Sequence, residues 1–236
     1  MLHKYLNSQE VMNNMLFEKE TDTLKLISFP IGSYQCNCTV IFQKDSKKAI
    51  VVDPGNDLVL LNRVMNHFGL TPTHLIHTHA HFDHIGQSDT FRNQTGAKLC
   101  LHKGDQFLFD MLPMQGKFFG QNVGAPGPVD QYLEHLDELG TSISEKDFIQ
   151  VIHTPGHTPG SISFYTEEFG EPLLLSGDTL FENSIGRTDL PGGDSKEIIK
   201  SIKEKLLTLP DETLVIAGHG AMTNIKEEKQ FNPFLC

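Results

Sequence analysis

The sequence predicts an α/β protein built as one domain, with two β-sheets packed face to face and helices on the outside. Short apolar runs rich in β-branched residues alternate with stretches of helical periodicity. The alternation comes in two similar successions, one in each half of the chain. No composition break marks a linker in the 236 residues, and 38% hydrophobic content is adequate for a core.

Residues 1–20 are polar and lack the continuous apolar stretch of a secretory signal. They are expected to be a loosely ordered extension, with the domain proper at 21–236. Residues 24–29, 38–42 and 49–52 read as three successive strands, and Asp53-Pro54-Gly55 turns the chain after the third. Leu58, Leu61, Val64, Met65 and Phe68 then recur at helical spacing, with Gly69 as the stop. Further on, the pattern predicts a strand at 74–77, a helix at 85–93, a strand at 98–101 and a helix at 103–112. Residues 113–128 are rich in Gly and Pro without periodicity and read as a long loop. Phe118 and Phe119 are expected to pin that loop to the core, with a pocket wall as their alternative role. The second half offers strands at 148–153, 161–165 and 173–176, an amphipathic helix at 195–207 and a last strand at 213–217.

Thirty acidic residues against 19 basic ones give a net charge of −11, which argues against nucleic-acid backbones and anionic membranes as partners. No apolar run approaches the roughly 18 residues of a membrane span. Cys36, Cys38, Cys100 and Cys236 match no Cys-x-x-Cys spacing and are expected as reduced thiols of a cytoplasmic protein.

The chemistry concentrates in Thr78-His79-Ala80-His81-Phe82-Asp83-His84, with three imidazoles and one carboxylate within six residues. These donors suit zinc, iron or manganese. Four candidate ligands in one segment exceed what one tetrahedral zinc draws from a single loop, so the run suggests two metals and hydrolysis. His157 lies in Pro155-Gly156-His157-Thr158-Pro159-Gly160, Asp178 in Ser176-Gly177-Asp178-Thr179, and His219 in Gly218-His219-Gly220. Each follows an expected strand and sits beside glycine, which lets the backbone approach a bulky centre closely. Taken singly, such a His is ordinarily a surface residue and such an Asp a turn former or helix cap. The shared context joins them to the first motif. His74, His77, His102, His135 and His153 are left as structural or surface residues.

In order and character, His79, His81, Asp83, His84, His157, Asp178 and His219 resemble the metal motifs of the metallo-β-lactamase superfamily. Asp53 resembles that superfamily's early Asp at a strand end. The resemblance runs from about residue 24 to 234 and implies a four-layer αββα sandwich with the metals at one edge, between the sheets. It implies two divalent ions per chain, zinc in first place with iron or manganese compatible. One ion would be held by His79, His81 and His157, the other by Asp83, His84 and His219. Asp178 would bridge them, and Asp53 would support the site from behind.

Within the superfamily, the best-known β-lactamases place Cys where Asp178 stands and lack His84. Residues 184–193 and 218–223, with the ending Asn232-Pro233-Phe234-Leu235, are similar to the short, single-domain type II glyoxalases. That likeness implies hydrolysis of S-lactoylglutathione or a related acyl thioester, a small-molecule partner, by a metal-bridging hydroxide that Asp83 and Asp178 hold in place. Arg187 aligns with a substrate-contacting basic residue, whereas Asp189 stands where the two-domain enzymes have Tyr, which disfavours an anionic tripeptide. The rival readings are a mono-iron persulfide dioxygenase and a hydrolase of lactones or other esters. A purely structural metal site is disfavoured because such sites are closed and usually contain Cys. Oligomeric state is left open.

Overall fold

A computed structural model of the chain describes residues 15–139 and 149–235. The strands are β1 (Phe17–Glu20), β2 (Leu24–Ile31), β3 (Cys36–Gln43), β4 (Lys48–Val52), β5 (Thr71–Ile76), β6 (Lys98–Leu101), β7 (Gln131–Tyr132), β8 (Glu138–Leu139), β9 (Ile149–His153), β10 (Ile162–Thr166), β11 (Leu173–Gly177), β12 (Leu180–Phe181), β13 (Ser184–Ile185), β14 (Leu214–Ala217) and β15 (Thr223–Asn224). The first sheet has the order β1-β2-β3-β4-β5-β6-β7, the second β15-β14-β11-β10-β9-β8, and β12-β13 form a small hairpin.

Alternation along the strands builds the layers. In β2 and β4, Leu24, Leu26, Ile50 and Val52 point inward and meet Val151, Phe164, Leu173 and Leu175 of the second sheet. Their neighbours Ile27, Phe29, Ala49 and Val51 point outward, beneath Leu61, Val64 and Met65 of helix α1 (Leu58–Phe68). Both faces of the sheet are covered, so these strands read as nearly continuous apolar runs. Beyond the second sheet, Ile198 of a helix at Ser195–Ser201 packs with Ile202, Leu206 and Ile225 against Leu174 and Val215. The result is helix, sheet, sheet, helix, as expected.

Five strands deliver their C-terminal ends to one edge. β4 and β5 run parallel, as do β11 and β14, and β9 shares the direction of β11 because both are antiparallel to β10. The residues just after these ends are Asp53, the 78–84 run, the His157 loop, Asp178 and His219.

Several expectations need correction. The extension does not reach residue 20, because Phe17–Glu20 pairs with β2 as the edge strand; residues 1–14 lie outside the described chain. The helix expected at 85–93 is two, α2 (Phe82–Ile85) and α3 (Ser88–Thr95), separated at Gly86 and Gln87. The helix expected at 103–112 is a 3₁₀ turn at Lys103–Asp105 followed by α4 (Gln106–Asp110). The loop expected from 113 begins as helix α5 (Leu112–Phe118). Pro113 lies in its first turn, where a missing N–H is harmless. Gly116 faces Gln121 and Val123 so closely that a Cβ there would meet Val123 Cγ2 at 2.7 Å. The expected helix 195–207 is α-helical only over Ser195–Ser201 (α6) and continues as a π-turn at Ile202–Leu206. Past the expected last strand come β15 and helix α7 (Ile225–Phe231), whose buried Glu228 accepts from Thr223 Oγ1 at 2.6 Å and Asn232 Nδ2 at 2.7 Å. No helix among the described residues is long and apolar enough to cross a membrane.

Candidate metal centre

Asp53 is the first fixed point. It ends β4 with φ of +48°, a left-handed conformation uncommon for a residue with a side chain. Its carboxylate accepts from Thr78 N at 2.8 Å and Thr78 Oγ1 at 2.6 Å, and its Oδ2 lies 3.0 Å from His84 Nδ1. One side chain thus fixes both the start of the motif and the ring of its last histidine. Gly177 at the end of β11 lets the second sheet reach the same point. Its φ is +51°, and a Cβ there would meet Thr78 Cβ at 2.5 Å.

The imidazoles are oriented from behind. His157 Nδ1 lies 2.7 Å from Arg187 O, His219 Nδ1 3.0 Å from Tyr34 O, and His84 Nδ1 faces Asp53. A carbonyl or carboxylate can only accept, so each Nδ1 donates and each Nε2 turns a lone pair into the cleft. His84 Nε2 and His219 Nε2 then face each other at 3.1 Å. Two lone pairs at that distance repel unless a proton or a cation lies with them. Burial pulls both imidazoles down, but for His84 the surrounding Cys36, Asp178, Asp83 and Asp53 outweigh it and push the ring well up. His219 is likewise raised against burial, by its hydrogen bond to Asp83 and by Asp178. Burial and neighbouring imidazoles hold His79 well below the usual range, and burial with His157 takes His81 down to about 3.

The donor atoms gather in the two sets that the resemblance implies, and His79, His84 and Asp178 form a further close group that joins them. His79, His81 and His157 form one set with ligand atoms within 4.8 Å of one another, and Asp83, His84 and His219 form another. Asp178 stands between the sets, with Oδ1 3.4 Å from His84 Nε2 and Oδ2 3.6 Å from His157 Nε2. Gly218 leaves room for it, since a Cβ there would come within 2.0 Å of Asp178 Oδ1. Among the described residues, His79 Nε2 and Asp178 Oδ1 are buried with no hydrogen-bond partner. Buried polar atoms left unsatisfied cost about 1–3 kcal/mol each. Five imidazoles and two carboxylates with inward lone pairs fit divalent cations.

Cys36, Asp53 and His84 also lie close enough to hold an ion. However, the His84 nitrogen on that side is Nδ1, which donates to Asp53 and so offers no lone pair, and burial pushes the Cys36 thiol up to about 12. Its Sγ lies 3.4 Å from His84 Nδ1 and completes the packing behind that ring. Cys36, Cys38 and Cys100 are free and buried, as expected of reduced thiols, and Cys236 lies outside the described residues.

Two supports escaped the sequence reading. Buried Asp105 accepts from Ala80 N at 2.9 Å, Thr158 Oγ1 at 2.8 Å and Gly160 N at 2.6 Å. It ties the His79/His81 loop to the His157 loop. Gln115 of α5 donates to Ala80 O at 3.1 Å and Leu108 O at 2.8 Å, and accepts from Phe82 N at 3.1 Å. No local pattern marks either residue. His77 is structural, as expected: it is buried, with its nitrogens 2.8 Å from Cys100 O and 2.8 Å from Ser88 Oγ.

The centre opens into a cleft of about 550 Å³, lined also by Tyr34, Leu108, Met111, Met114, Phe118, Phe119 and Arg187. Phe119 stacks on Phe82 at 4.9 Å and packs against the core, whereas Phe118 is 81% exposed at the mouth and meets the Phe119 ring edge-on at 5.0 Å. Arg187 reaches the cleft but binds Asp189 in a fork, at 2.7 and 2.8 Å.

Comparison with known proteins agrees with this geometry. The family model described as metallo-β-lactamase superfamily matches residues 31–219. Hydroxyacylglutathione hydrolase GloC of Haemophilus influenzae is 38% identical over 208 residues, 87% of this chain and 95% of its own. The crystal structure of BLEG-1 B3 metallo-β-lactamase superposes with a TM-score of 0.79 at 38% identity, covering 89% of this chain and 99% of BLEG-1. That of TTHA1623 in a di-iron-bound form gives 0.78 at 34% identity, covering 88% and 99%.

Proposed function

This chain belongs to the metallo-β-lactamase superfamily, with metal-dependent hydrolysis as its coarse chemistry, and from that premise we propose that it hydrolyses acyl thioesters at a two-metal centre. The reaction is of the glyoxalase II type, on S-lactoylglutathione or a related thioester. Water adds to the acyl carbon, the C–S bond breaks, and a carboxylic acid and a thiol leave. The observation that carries the reading is Asp178, whose two oxygens lie 3.4 Å from His84 and 3.6 Å from His157, one residue of each donor set. A one-iron oxygenase would leave the Asp83, His84 and His219 set without a task. The likeness to GloC supports the thioester, and the di-iron form of TTHA1623 supports two ions.

His79, His81 and His157 would hold one ion, Asp83, His84 and His219 the other, and Asp178 would serve both. Zinc is the first expectation, and the same donors accept iron or manganese. Such ions supply Lewis acidity, lowering the pKa of water toward neutrality and stabilising charge on the carbonyl oxygen. The chain's own groups do the rest. Asp83 and Asp178 accept hydrogen bonds from the attacking water and set its direction. Asp53, Tyr34 O and Arg187 O keep three imidazole Nε2 atoms facing inward. Cys36 is no nucleophile, being buried with its thiol raised to about 12. The leaving thiol needs no acid, because ordinary thiols ionise near pH 8.5.

The test pairs metal analysis with a rate panel of S-lactoylglutathione, other acyl thioesters, a lactone, a β-lactam and glutathione persulfide. The β-lactam belongs in it because BLEG-1 is named a metallo-β-lactamase. About two equivalents of metal with fastest turnover of a thioester is the expected outcome. A single iron with oxygen consumed on the persulfide would replace this reading.

A further inference from the structure

The cleft has two unlike sides. One is the ring of imidazoles and carboxylates. The other is built by α4 and α5 and presents Leu108, Met111, Met114, Phe118 and Phe119. Met114 and Phe118 stand one helical turn apart and are 57% and 81% exposed. Behind them, Phe119 stacks on Phe82 at 4.9 Å, and Tyr34 meets Phe82 edge-on at 5.0 Å. Large apolar side chains held against water beside a reactive centre mark a ligand groove.

This side offers an anionic tripeptide little. A glutathione conjugate carries two carboxylates that need cations. Arg187 is the one Arg or Lys among the described residues lining the cleft, and its guanidinium is already forked onto Asp189. Gln115, the wall's polar residue, has its amide engaged by Ala80 O, Leu108 O and Phe82 N.

We propose that this wall binds an apolar arm of the substrate, so that the substrate class is a thioester carrying an alkyl or aryl arm on one side of the scissile C–S bond. The inference rests on the hydrolase reading and narrows it. The arm sits on the acyl or on the thiol side, and two substrate series separate these. One holds the thiol fixed and lengthens the acyl group from acetyl to octanoyl. The other holds the acetyl group fixed and lengthens an alkyl thiol.

In metal-loaded protein, kcat/KM should rise about two- to fourfold per added methylene in one series, near the factor given by about 0.8 kcal/mol per buried CH₂. Longer members should outrun S-lactoylglutathione. Phe118→Ser and Met114→Ser should flatten the rise; both sites are exposed enough that folding survives. Flat dependence in both series, or S-lactoylglutathione ahead of every member, overturns the proposal. So does a dimer that Phe118→Ser dissolves, found together with a flat series, since the wall would then serve self-association. If no thioester is turned over, the thioester reading fails by itself. The wall is then judged by calorimetric binding of S-alkyl thioethers: tightening with chain length sustains the apolar arm, and indifference to length removes it.

Discussion

The floor and the wall of the cleft are made differently. On the floor, side chains from five strand ends are buried or half-buried and several are held from behind by named partners, such as Asp53 for His84 and Tyr34 O for His219. On the wall, Met114 and Phe118 hold their place on a two-turn helix and are largely exposed. A group that must sit within tenths of an ångström of a reacting atom needs a rigid scaffold. A group that only excludes water from an apolar arm does not. On the proposed reading, chemistry belongs to the sandwich and substrate choice to the helix pair α4 and α5.

Substitutions on the two sides should differ accordingly. The largest effect is expected for Asp178→Ala, which should remove most turnover and lower bound metal from about two equivalents toward one. Unchanged turnover would deny Asp178 its shared role. Next, Asp105→Ala strands Ala80 N and Gly160 N and leaves Thr158 Oγ1 only its contact with Ser161 Oγ, and should lower stability by about 3 kcal/mol in denaturant titrations. Asp105→Asn keeps some acceptor capacity and should lose less. A loss under about 1 kcal/mol for the alanine variant would mean that the two loops hold together without their clasp.

The buried floor should also respond to acid. Burial, above all, takes His77 from the usual 6.5 down to about 4. Between those values the unfolded chain takes up a proton that the folded chain refuses. The stability from a neutral His77 is thus fully present above pH 6.5 and falls as pH drops toward 4, by at most about 3 kcal/mol. In metal-free protein, His77→Gln should show a shallower loss over that window, and parallel curves would exclude the effect. The smallest change is expected on the wall. Phe118→Ser should shift stability by no more than about 0.5 kcal/mol, because 81% of the residue is already in water. A larger loss would make Phe118 a core residue and erase the contrast.

How far each side was legible in the sequence follows the same division. His157, Asp178 and His219 could be read because each follows an apolar strand and lies beside a glycine, a local signal. The grouping of donor sets came from family resemblance, and the geometry brings the same residues together. Asp105 could not be read, because its partner Thr158 lies 53 residues away and Lys103-Gly104-Asp105 looks like any polar turn. The wall was misread for another reason. Pro113 and Gly116 look like helix breakers, yet one occupies the first turn and the other gives close contact with Val123. Helix α7 was missed because Ile-Lys-Glu-Glu-Lys-Gln-Phe buries little apolar surface and depends on Glu228 for its anchorage.

The split ancestry of the donors has one more consequence. His79, His81, Asp83 and His84 follow the first sheet, and His157, Asp178 and His219 follow the second. Neither stretch alone completes a donor set, since each set takes one histidine from the later part of the chain. Tight metal affinity can arise only after the two sheets have docked. Occupancy is then a gauge of global folding, and mass action lets bound ions act as a cross-link that slows the sheets' separation. Metal starvation should therefore shorten this protein's lifetime against proteases as well as silence it.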